Sequence, residues 1–440
     1  MRPSPHSHAP DRGFSMVELM IAMLIGLIGM IIIFQVFEVS EGIKRTTTSG
    51  GDAQQNGAVA LYVVEHDLRN AGMGFNDAPY AGCNILAYDS KRATQNFTMT
   101  LVPALICAPG STAPGGNCPG TGTAGSSPDQ LTIFYGSNPL VASATTLAQN
   151  MTAGNNPLQL ANSYGYRPGD LLVLLQPASG NNCSLMEVTG PVPMTNAVNH
   201  ADSGVSYPLV SGTTRTARFN RPGGLAVLYG GVPSANVTRA FNLGNLYEPL
   251  TAPTMPIYNT YAINTNPAQP NFKSLTMASA FVIDTATSAP QVSAVADNIV
   301  HLRAQYGVDD GVGDGSVTFG GGIFVAGDGL VDRFVSPAVF NATLPTPPWQ
   351  ALIAVRLAIV ARSALAEKPS GRDGDRCDAT TDGSEAPDPG PDLRPKWSGG
   401  VFDMSTTGDP DPASPLYWKC YRYRVFETTV PLRNWIWKSS

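Results

Sequence analysis

Glu18 is the residue whose type and position most clearly imply a chemical role. It precedes an apolar run, residues 19–34, that carries no charge and continues past Gln35 to Phe37. A helix over 14–34 would be about 30 Å long, which is about the thickness of the hydrocarbon core of a bilayer. A carboxylate just inside that core costs on the order of 2–3 kcal/mol or more, so it indicates a function and requires a partner.

Two ordinary interpretations of the apolar run leave part of it unexplained. A secretory signal peptide has an apolar core of about 7–15 residues and a small-residue cleavage site. This run is longer, and no Ala-x-Ala follows it. A single-pass membrane anchor explains the length but not the combination of Gly13, Phe14 and Glu18. These three residues therefore have to be explained together.

The sequence GFSMVE at 13–18, followed at once by the apolar run, resembles the class III signal of type IV prepilins. The resemblance implies that a prepilin peptidase cuts after Gly13 on the cytoplasmic face and that the new N-terminus, Phe14, is N-methylated. It also implies an assembly role for Glu18, which would neutralise the α-amino group of Phe14 on a neighbouring subunit when helices bundle into a filament. Residues 1–13 would then be a leader peptide, removed from the mature protein.

The sequence gives little support for a catalytic site. His6 and His8 lie in the leader, and His66, His200 and His301 are far apart in the sequence. There is no H-E-x-x-H, no G-x-S-x-G and no P-loop. We therefore expect no enzymatic activity, with His66 solvated on a helix and His301 satisfied within a strand or at its edge.

An acidic turn at 309–315 is a candidate for metal binding. Asp309, Asp310 and Asp314 lie there among glycines, and Asp328 and Asp332 follow. Hard oxygen ligands on a flexible turn suit calcium. The spacing does not match the D-x-[DN]-x-[DN]-G loop, so a solvated Asp-Gly hairpin is the favoured interpretation and a weak calcium site is the alternative. We expect no other cofactor.

The six cysteines contain no C-x-x-C pair, which argues against a zinc or thioredoxin-like site. An even number of cysteines beyond a membrane anchor fits an oxidising compartment. Several pairings are open. We expect Cys107–Cys118, because these residues bracket a short Gly/Pro loop, and Cys377–Cys420, which would tie a second loop to the last strand. By elimination the third pair is Cys83–Cys183.

The composition indicates a loop-rich protein with more strand than helix. Charged residues make up 14% of the chain, well below the usual quarter, and there are 45 glycines and 37 prolines. The net charge of −6 offers no basic patch, so nucleic acid is not an expected partner.

The helix is expected to continue beyond the membrane as an amphipathic segment. Gly72 and Gly74 would end it, and residues 46–51, rich in Thr and Gly, would kink or break it. Asp67 and Arg69 are expected to face water. Its apolar stripe, at helical spacing, consists of Leu61, Val64, Leu68 and Ala71.

Beyond the helix the chain should form short strands joined by long loops. The segments 108–128 and 366–400 are predicted to be loops, no element can be placed within 190–280, and the role of 435–438 is undecided. Strands are predicted at 131–135, 171–176, 185–189, 225–229, 299–307, 352–362 and 421–430.

Three segments resemble the PilW family of minor pilins: DLRNAG at 67–72, VRLAIVARS at 355–363 and RYRVFETTVPLRN at 422–434. The first also resembles, more loosely, the J-type pseudopilins of type II secretion. The resemblance implies an α+β, type IV pilin-like fold, in which a long N-terminal membrane-anchoring helix packs on an antiparallel sheet with long disulfide-closed loops. The expected organisation is leader 1–13, helix 14–72 with its transmembrane part at about 14–37, and a β-rich globular domain 73–440.

The same resemblance implies a minor pilin that is incorporated near the tip of the type IV pilus and helps initiate assembly, with roles in adhesion and twitching motility. Its partners would be other minor pilins, the major pilin, the prepilin peptidase/methyltransferase and a large tip adhesin. It would span the inner membrane once, with its N-terminus cytoplasmic and its domain periplasmic, before entering the extracellular pilus. The alternatives are a J-type type II secretion pseudopilin and a pilus-tip adhesin or binding module.

Overall fold

The computed structural model describes residues 13, 15–75, 81–113, 116–118, 127–138, 144–175, 182–191, 195–224, 233–247, 255–266, 269–309, 329–341, 349–367, 377, 379–383, 391–409, 411, 414 and 416–436. The chain divides into two compact units, Met1–Asp52 and Ala53–Ser440.

The first helix, α1, runs from Met16 to Asn70. It is long and apolar enough to cross a membrane, with a mean hydropathy of 2.7 over its most apolar window, and nearly all side chains of 16–43 are exposed. The expected break at 46–51 is wrong, because these residues are helical. Thr47 donates its hydroxyl to the carbonyl of Ile43 at 2.8 Å. Gly50 and Gly51 each cost only about 1 kcal/mol, which long helical flanks can absorb.

The other elements of the described chain are strands and very short helices. The short helices are α2 (Pro337–Asn341) and α3 (Arg433–Ile436), with 3₁₀ turns at Trp349–Ala351 and Trp418–Cys420. The strands are β1 (Asn84–Tyr88), β2 (Asn96–Thr100), β3 (Ala104–Cys107), β4 (Thr112–Ala113), β5 (Gly116–Asn117), β6 (Gln130–Tyr135), β7 (Thr145–Thr146), β8 (Leu158–Gln159), β9 (Asp170–Leu175), β10 (Asn182–Glu187), β11 (Gly190–Pro191), β12 (Ala197–Asn199), β13 (Ser206–Pro208), β14 (Thr214–Thr216), β15 (Arg239–Asn245), β16 (Ile257–Asn266), β17 (Gln269–Ile283), β18 (Pro290–Asp297), β19 (Ile299–Val308), β20 (Arg333–Val335), β21 (Leu352–Arg362), β22 (Lys396–Trp397), β23 (Gly400–Val401) and β24 (Tyr423–Pro431).

Three larger sheets make up most of the second unit. A six-stranded sheet has the order β2-β1-β10-β9-β15-β7, a five-stranded sheet β18-β17-β16-β6-β3, and a four-stranded sheet β20-β19-β21-β24. Neighbouring strands in these sheets are antiparallel, except that β1 and β10 run parallel. The fold is therefore α+β, with an apolar N-terminal helix and largely antiparallel sheets, as expected for a pilin-like fold.

The strand predictions succeeded where apolar residues run continuously. The prediction for 352–362 coincides with β21, which is central in its sheet and buried on both faces, the environment that favours such runs. The predicted loops 108–128 and 366–400 are wrong in part, because β4 and β5 pair within the first and β22 lies within the second. The segment 190–280, where no element could be placed, contains β11 to β16 and most of β17. The predicted strand 225–229 lies outside the described residues.

The main hydrophobic core joins the second part of α1 to the sheets. The helix buries Ala53, Ala60, Val64, Leu68 and Ala71, a stripe with helical spacing, against strands of the five- and four-stranded sheets and Phe75. Leu61 is half-buried beside it. The predicted stripe is thus confirmed, and it extends one turn or more towards the N-terminus.

Candidate functional site

The N-terminus of α1 is built by Ser15 and Glu18. The carbonyl of Ser15 accepts the first helical hydrogen bond, from Leu19 N at 3.1 Å. The Ser15 hydroxyl accepts from Val17 N at 3.3 Å, and Glu18 Oε2 accepts from Ser15 N at 3.0 Å. Ser15 is therefore the N-cap residue, and Glu18 at position N3 reaches back to its N–H as in a capping box, while the serine hydroxyl binds the N–H of N2.

Gly13, the predicted cleavage position, is exposed and precedes the helix. Phe14, the predicted methylation position, lies outside the described residues. The described contact of Glu18 is therefore with its own helix terminus, and its pairing with the amine of a neighbouring subunit stays a prediction.

The second part of α1 carries a buried carboxylate, Asp67. Its Oδ1 accepts from the hydroxyl of Tyr135 at 3.0 Å, and its Oδ2 accepts from Tyr261 at 2.7 Å and from Asn259 Nδ2 at 3.1 Å. The donors lie on β6 and β16, so this one side chain connects the helix to two neighbouring strands. The expectation that Asp67 faces water is wrong, because three donors replace the water that burial removes.

The tyrosines at this junction remain protonated donors. Burial raises the pKa of Tyr135 and of Tyr261 well above the usual range, and the negative charge of Asp67 raises both further. A hydroxyl that keeps its proton can donate at every physiological pH, so the junction does not depend on a titration at the tyrosines.

The glycine that follows α1 ends the helix as predicted. Gly72 has φ +82°, the left-handed conformation of a helix C-cap, and its N–H donates to the carbonyl of Phe134 at 3.0 Å. A Cβ there would lie 3.3 Å from the Cβ of Trp435. Arg69, by contrast, is exposed and pairs with Glu65 one turn earlier, as expected of a solvated face.

Residues 434 and 435, near the C-terminus, contact the same end of the helix. Asn434 Nδ2 donates to the carbonyl of Arg69 at 3.3 Å. Trp435, in α3, is fully buried beside Phe75 and donates its indole N–H to the carbonyl of Trp349 at 3.0 Å. The undecided residue Trp435 is therefore a core side chain, and the first and last of the three PilW-like segments meet at one junction.

A contact at Gly57, earlier in α1, was missed by the sequence analysis. A Cβ at Gly57 would lie 2.0 Å from the ring of Phe426, which extends from β24. The absence of a side chain at Gly57 therefore allows the ring of Phe426 to pack against the helix backbone. The sequence signal for this contact is a glycine on the buried face of an amphipathic helix. The signal is ambiguous, because Gly50 and Gly51 lie in the same helix and have nothing within 4 Å of their Cβ positions.

The cysteines pair as Cys83–Cys183, Cys107–Cys118 and Cys377–Cys420, with Cα–Cα distances of 6.0, 5.4 and 4.7 Å. These are the same pairs that the sequence analysis proposed. The first joins the start of β1 to β10, the parallel strand pair of the six-stranded sheet. All three disulfides lie within the second unit.

The acidic turn is only partly described. Asp309 is buried and accepts a hydrogen bond from Gly329 N at 2.7 Å, while Asp310 and Asp314 lie outside the described residues. Among the residues that the structure describes, no three His, Cys, Asp or Glu side chains are grouped so that they could hold a metal ion. The weak calcium site therefore stays a prediction.

The histidines occupy unrelated environments. His66 is exposed on α1, as predicted. His200 contacts the carbonyl of Asn156 through Nε2 at 2.8 Å, and burial lowers its pKa. His301 is buried in β19, with its ring 5.1 Å from that of Phe402.

The sequence analysis also missed a buried ionic cluster. Arg218 makes a two-pronged contact with Asp89, with both N···O distances 2.6 Å. Glu187 accepts from the backbone N–H groups of Arg218 and Phe219 and from the hydroxyl of Tyr207. Burial raises the pKa of Glu187, and these hydrogen bonds oppose the rise. No local sequence pattern links residues so far apart, so this cluster could not be found without the fold.

An apolar N-terminal helix, largely antiparallel sheets and disulfides are together consistent with a pilin-like fold. Residues 260–434 match the family model described as type IV pilus-assembly protein W, PilW, and residues 9–34 match the prokaryotic N-terminal methylation motif. The comparisons with curated proteins and with solved structures gave no match. The chain therefore carries a PilW domain together with the N-terminal methylation motif of prepilin-like proteins.

The two matches coincide with the two parts of the site. The methylation motif covers Gly13, Phe14 and Glu18, and the PilW match covers Tyr261, most of β16 and all of β24 with Phe426. Together they support a type IV pilus-associated minor pilin, a component that interacts with other pilus components. The motif and the apolar helix also fit membrane anchoring.

Proposed function

We propose that this protein is a minor pilin that is built into the type IV pilus near its tip and helps to initiate assembly, without a catalytic activity of its own. The observation that carries this proposal is that a single helix contains part of the methylation motif and also contacts the PilW-matched region. It begins at the methylation motif and ends in the junction where Asp67 binds Tyr261 of the PilW domain.

The membrane-embedded precursor would be processed before assembly. The leader faces the cytoplasm, the peptidase cuts after Gly13, and Phe14 becomes the methylated N-terminus. The domain then lies in the periplasm, an oxidising compartment that supports disulfides such as Cys107–Cys118.

Burial of apolar surface supplies the driving force for assembly. Large apolar side chains of 16–43 are exposed, for example Met16 at 86% and Phe37 at 68%. Outside lipid they must be covered by the helices of other pilins, so extraction from the membrane is coupled to filament growth. Glu18 would then pair with the Phe14 amine of a neighbour, which gives a charged group in an apolar bundle its counter-charge.

The size of the domain supports a position near the tip. Residues 73–440 would crowd one another if many copies lay along the filament. Retention of Glu18 supports a position just below the tip, where the subunit contacts neighbours on both sides. Adhesion and twitching motility would follow from the role in pilus assembly.

The test is to delete the gene and to locate the tagged, full-length protein in the complemented strain. We expect fewer pili in the deletion strain and sparse label at one end of sheared pili. Label along the whole filament would contradict the tip position. Loss of protein secretion with normal piliation would support the pseudopilin alternative, and normal piliation with lost surface binding would support the adhesin alternative.

A further inference from the structure

The five-stranded sheet ends at β18, and the outer edge of this strand is exposed. Among the described strands, only β17 lies beside β18. In the part of the chain that the structure describes, no backbone group outside the sheet forms a hydrogen bond with the backbone of Pro290–Asp297. The residues from Gln291 to Ala294 are all exposed, and Val292 is 56% exposed. A row of backbone N–H and C=O groups is therefore open to pairing along this edge.

The chemistry of β18 is unusual for an open edge. Natural proteins protect such edges with charged side chains, very short strands or covering segments, because an open edge can pair with a strand of another chain. β18 has eight residues, and residues 285–296 contain no Lys, Arg, Asp or Glu. Asp297, at the end of the strand, is its one charged residue.

The other outer strands of the three larger sheets are shorter, charged or engaged. β7 and β20 have two and three residues. β24 carries two charged residues, Arg424 and Glu427. The backbone N–H groups of Thr100 in β2 and of Ile106 in β3 donate to tyrosine hydroxyls, at 3.3 and 2.6 Å. Among the described outer strands, β18 therefore differs in being long, uncharged over most of its length and exposed.

We propose that β18 is a docking edge, to which a neighbouring pilus component adds an extended, uncharged strand. Strand addition obtains affinity from backbone hydrogen bonds and specificity from alternate side chains. The whole of β18 lies within residues 260–434, the region that matches the PilW family model. The proposed docking edge rests on the proposed function in one respect, since it requires that the chain is assembled with other pilus components.

The register of β18 defines the chemistry of the strand that fits it. Val292, Ser293 and Ala294 pair in register with β17, and the pairing is irregular on either side, so the partner strand contacts this short segment. Val292 and Ala294 lie on one face and Ser293 on the other, because side chains alternate along a strand. An apolar, β-branched residue beside Val292 would form a favourable cross-strand pair. A charged residue would find no counter-charge there.

The experiment uses the full-length protein in piliated cells, with a photo-crosslinking amino acid in place of Ser293. Mass spectrometry identifies the crosslinked protein and the peptide to which the crosslinker is attached. A second derivative carries the crosslinker in place of Leu27, which is 63% exposed on the apolar part of α1. This second position reports contacts of the apolar helix with other pilins, and it serves as the reference for the yield at position 293.

Three variants test the edge itself. Val292→Lys/Ala294→Lys places two charges on β18, at exposed positions. Thr285→Lys/Thr287→Lys is the matched control, because it adds the same charges at the same spacing to exposed positions in the turn before β18. Val292→Thr keeps a β-branched, uncharged side chain. Thermal unfolding in detergent should be the same for all three and for wild type, since exposed positions tolerate substitution.

We expect position 293 to crosslink to an extended, uncharged segment of another pilus component. In Val292→Lys/Ala294→Lys the yield at 293, relative to that at 27, should fall about fivefold, the factor that corresponds to one good cross-strand pair. Thr285→Lys/Thr287→Lys and Val292→Thr should match wild type. A yield that is unchanged by the charges on β18, or that falls equally in the turn control, would overturn the docking edge.

The crosslinks of the otherwise wild-type chain decide the remaining cases. Attachment at 293 to a second copy of this chain, to the helix of another pilin, or to nothing while position 27 still crosslinks to pilins would overturn the docking edge and leave the proposed function standing. Failure of the proposed function looks different, because neither position 27 nor position 293 would then crosslink to a pilus component.

Discussion

Two carboxylates of α1, Asp67 near its C-terminal end and Glu18 near its N-terminal end, differ in how their hydrogen bonds are satisfied. Asp67 is buried and receives hydrogen bonds from Tyr135, Asn259 and Tyr261, all within its own chain. Glu18 lies on an exposed apolar segment, and its described contact caps its own helix. Asp67 is thus satisfied by the fold of its own chain, whereas the pairing of Glu18 with a neighbouring subunit stays a prediction. The predictions below test this difference, beginning with the largest effect.

The largest effect is expected for Glu18→Ala. The neighbour's ammonium would lie in an apolar helix bundle without a counter-charge, and breaking a buried ion pair in this way costs several kcal/mol. Insertion should be unchanged or easier, because an intramembrane charge is removed. Incorporation into sheared pili, normalised to processed protein, should fall more than about tenfold, since about 1.4 kcal/mol suffices for that factor. Equal recovery of Glu18→Ala, Glu18→Gln and wild type would contradict the assembly role.

Asp67→Ala should destabilise the second unit by about 3 kcal/mol, because it leaves three buried donors without their acceptor. Thermal or denaturant unfolding of the full chain in detergent measures the effect, with the disulfides intact. Tyr261→Phe is the matched control and should cost about 1 kcal/mol. In a double mutant, Tyr261→Phe should cost much less in the Asp67→Ala background than in wild type. Simple additivity would show that the hydrogen bond carries no stability.

Gly57→Ala tests whether the helix must have a bare backbone where β24 crosses it. The new Cβ would overlap the ring of Phe426, so we expect a loss of about 1–3 kcal/mol from overpacking. Gly51→Ala is the control, because nothing lies within 4 Å of its Cβ position and Ala favours helix by about 1 kcal/mol. Phe426→Leu should partly rescue Gly57→Ala. Equal stability of the two alanine variants would show that the ring moves without cost.

The candidate residues at the N-terminal end of α1 could be predicted from the sequence, whereas those at its C-terminal end could be predicted only in part. Gly13, Phe14 and Glu18 are adjacent to an apolar run, so their spacing carries the inference. The partners of Asp67 lie on strands far along the chain, and no local pattern indicates that they converge. An Asp beside an apolar stripe therefore resembled a solvated residue until the fold supplied its donors.

Some strands could likewise be predicted from the sequence and others could not. The limits of β21 were predictable because 352–362 is buried on both faces and almost uniformly apolar. The long strands β16 and β17 were missed, because Asn, Thr and Ser are frequent in them and several of their positions are only half-buried. Strand propensity reflects packing against neighbours, and the neighbours of these strands are set by the tertiary fold.

The smallest expected effect concerns Asp129, a buried carboxylate that pairs with an arginine. Arg303 donates to Asp129 Oδ1 and Ala304 N donates to Oδ2, both at 3.1 Å. Burial nevertheless raises the pKa of Asp129 to about 6, with Arg303 opposing the rise. The folded pKa thus exceeds the unfolded value of about 3.9. The folded state binds the proton more tightly, so this group favours folding at low pH and loses that contribution as the pH rises from about 4 to about 6.

Asp129→Asn should remove this contribution and leave the rest of the pH profile in place. We expect the free energy of unfolding of wild type to fall, relative to Asp129→Asn, by on the order of 1 kcal/mol between pH 4 and pH 6. Denaturant unfolding at several pH values measures the difference, and subtracting the two profiles cancels the other buried carboxylates, Glu187 and Asp170, whose pKa values burial also raises. A difference of the opposite sign would show that Arg303 outweighs burial, so that Asp129 is held as a charged pair. Asp129 would then resemble Asp67 in being stabilised as an acceptor within the folded chain. The two would differ in that the side-chain donor to Asp129 is an arginine, whereas those to Asp67 are tyrosines and an asparagine.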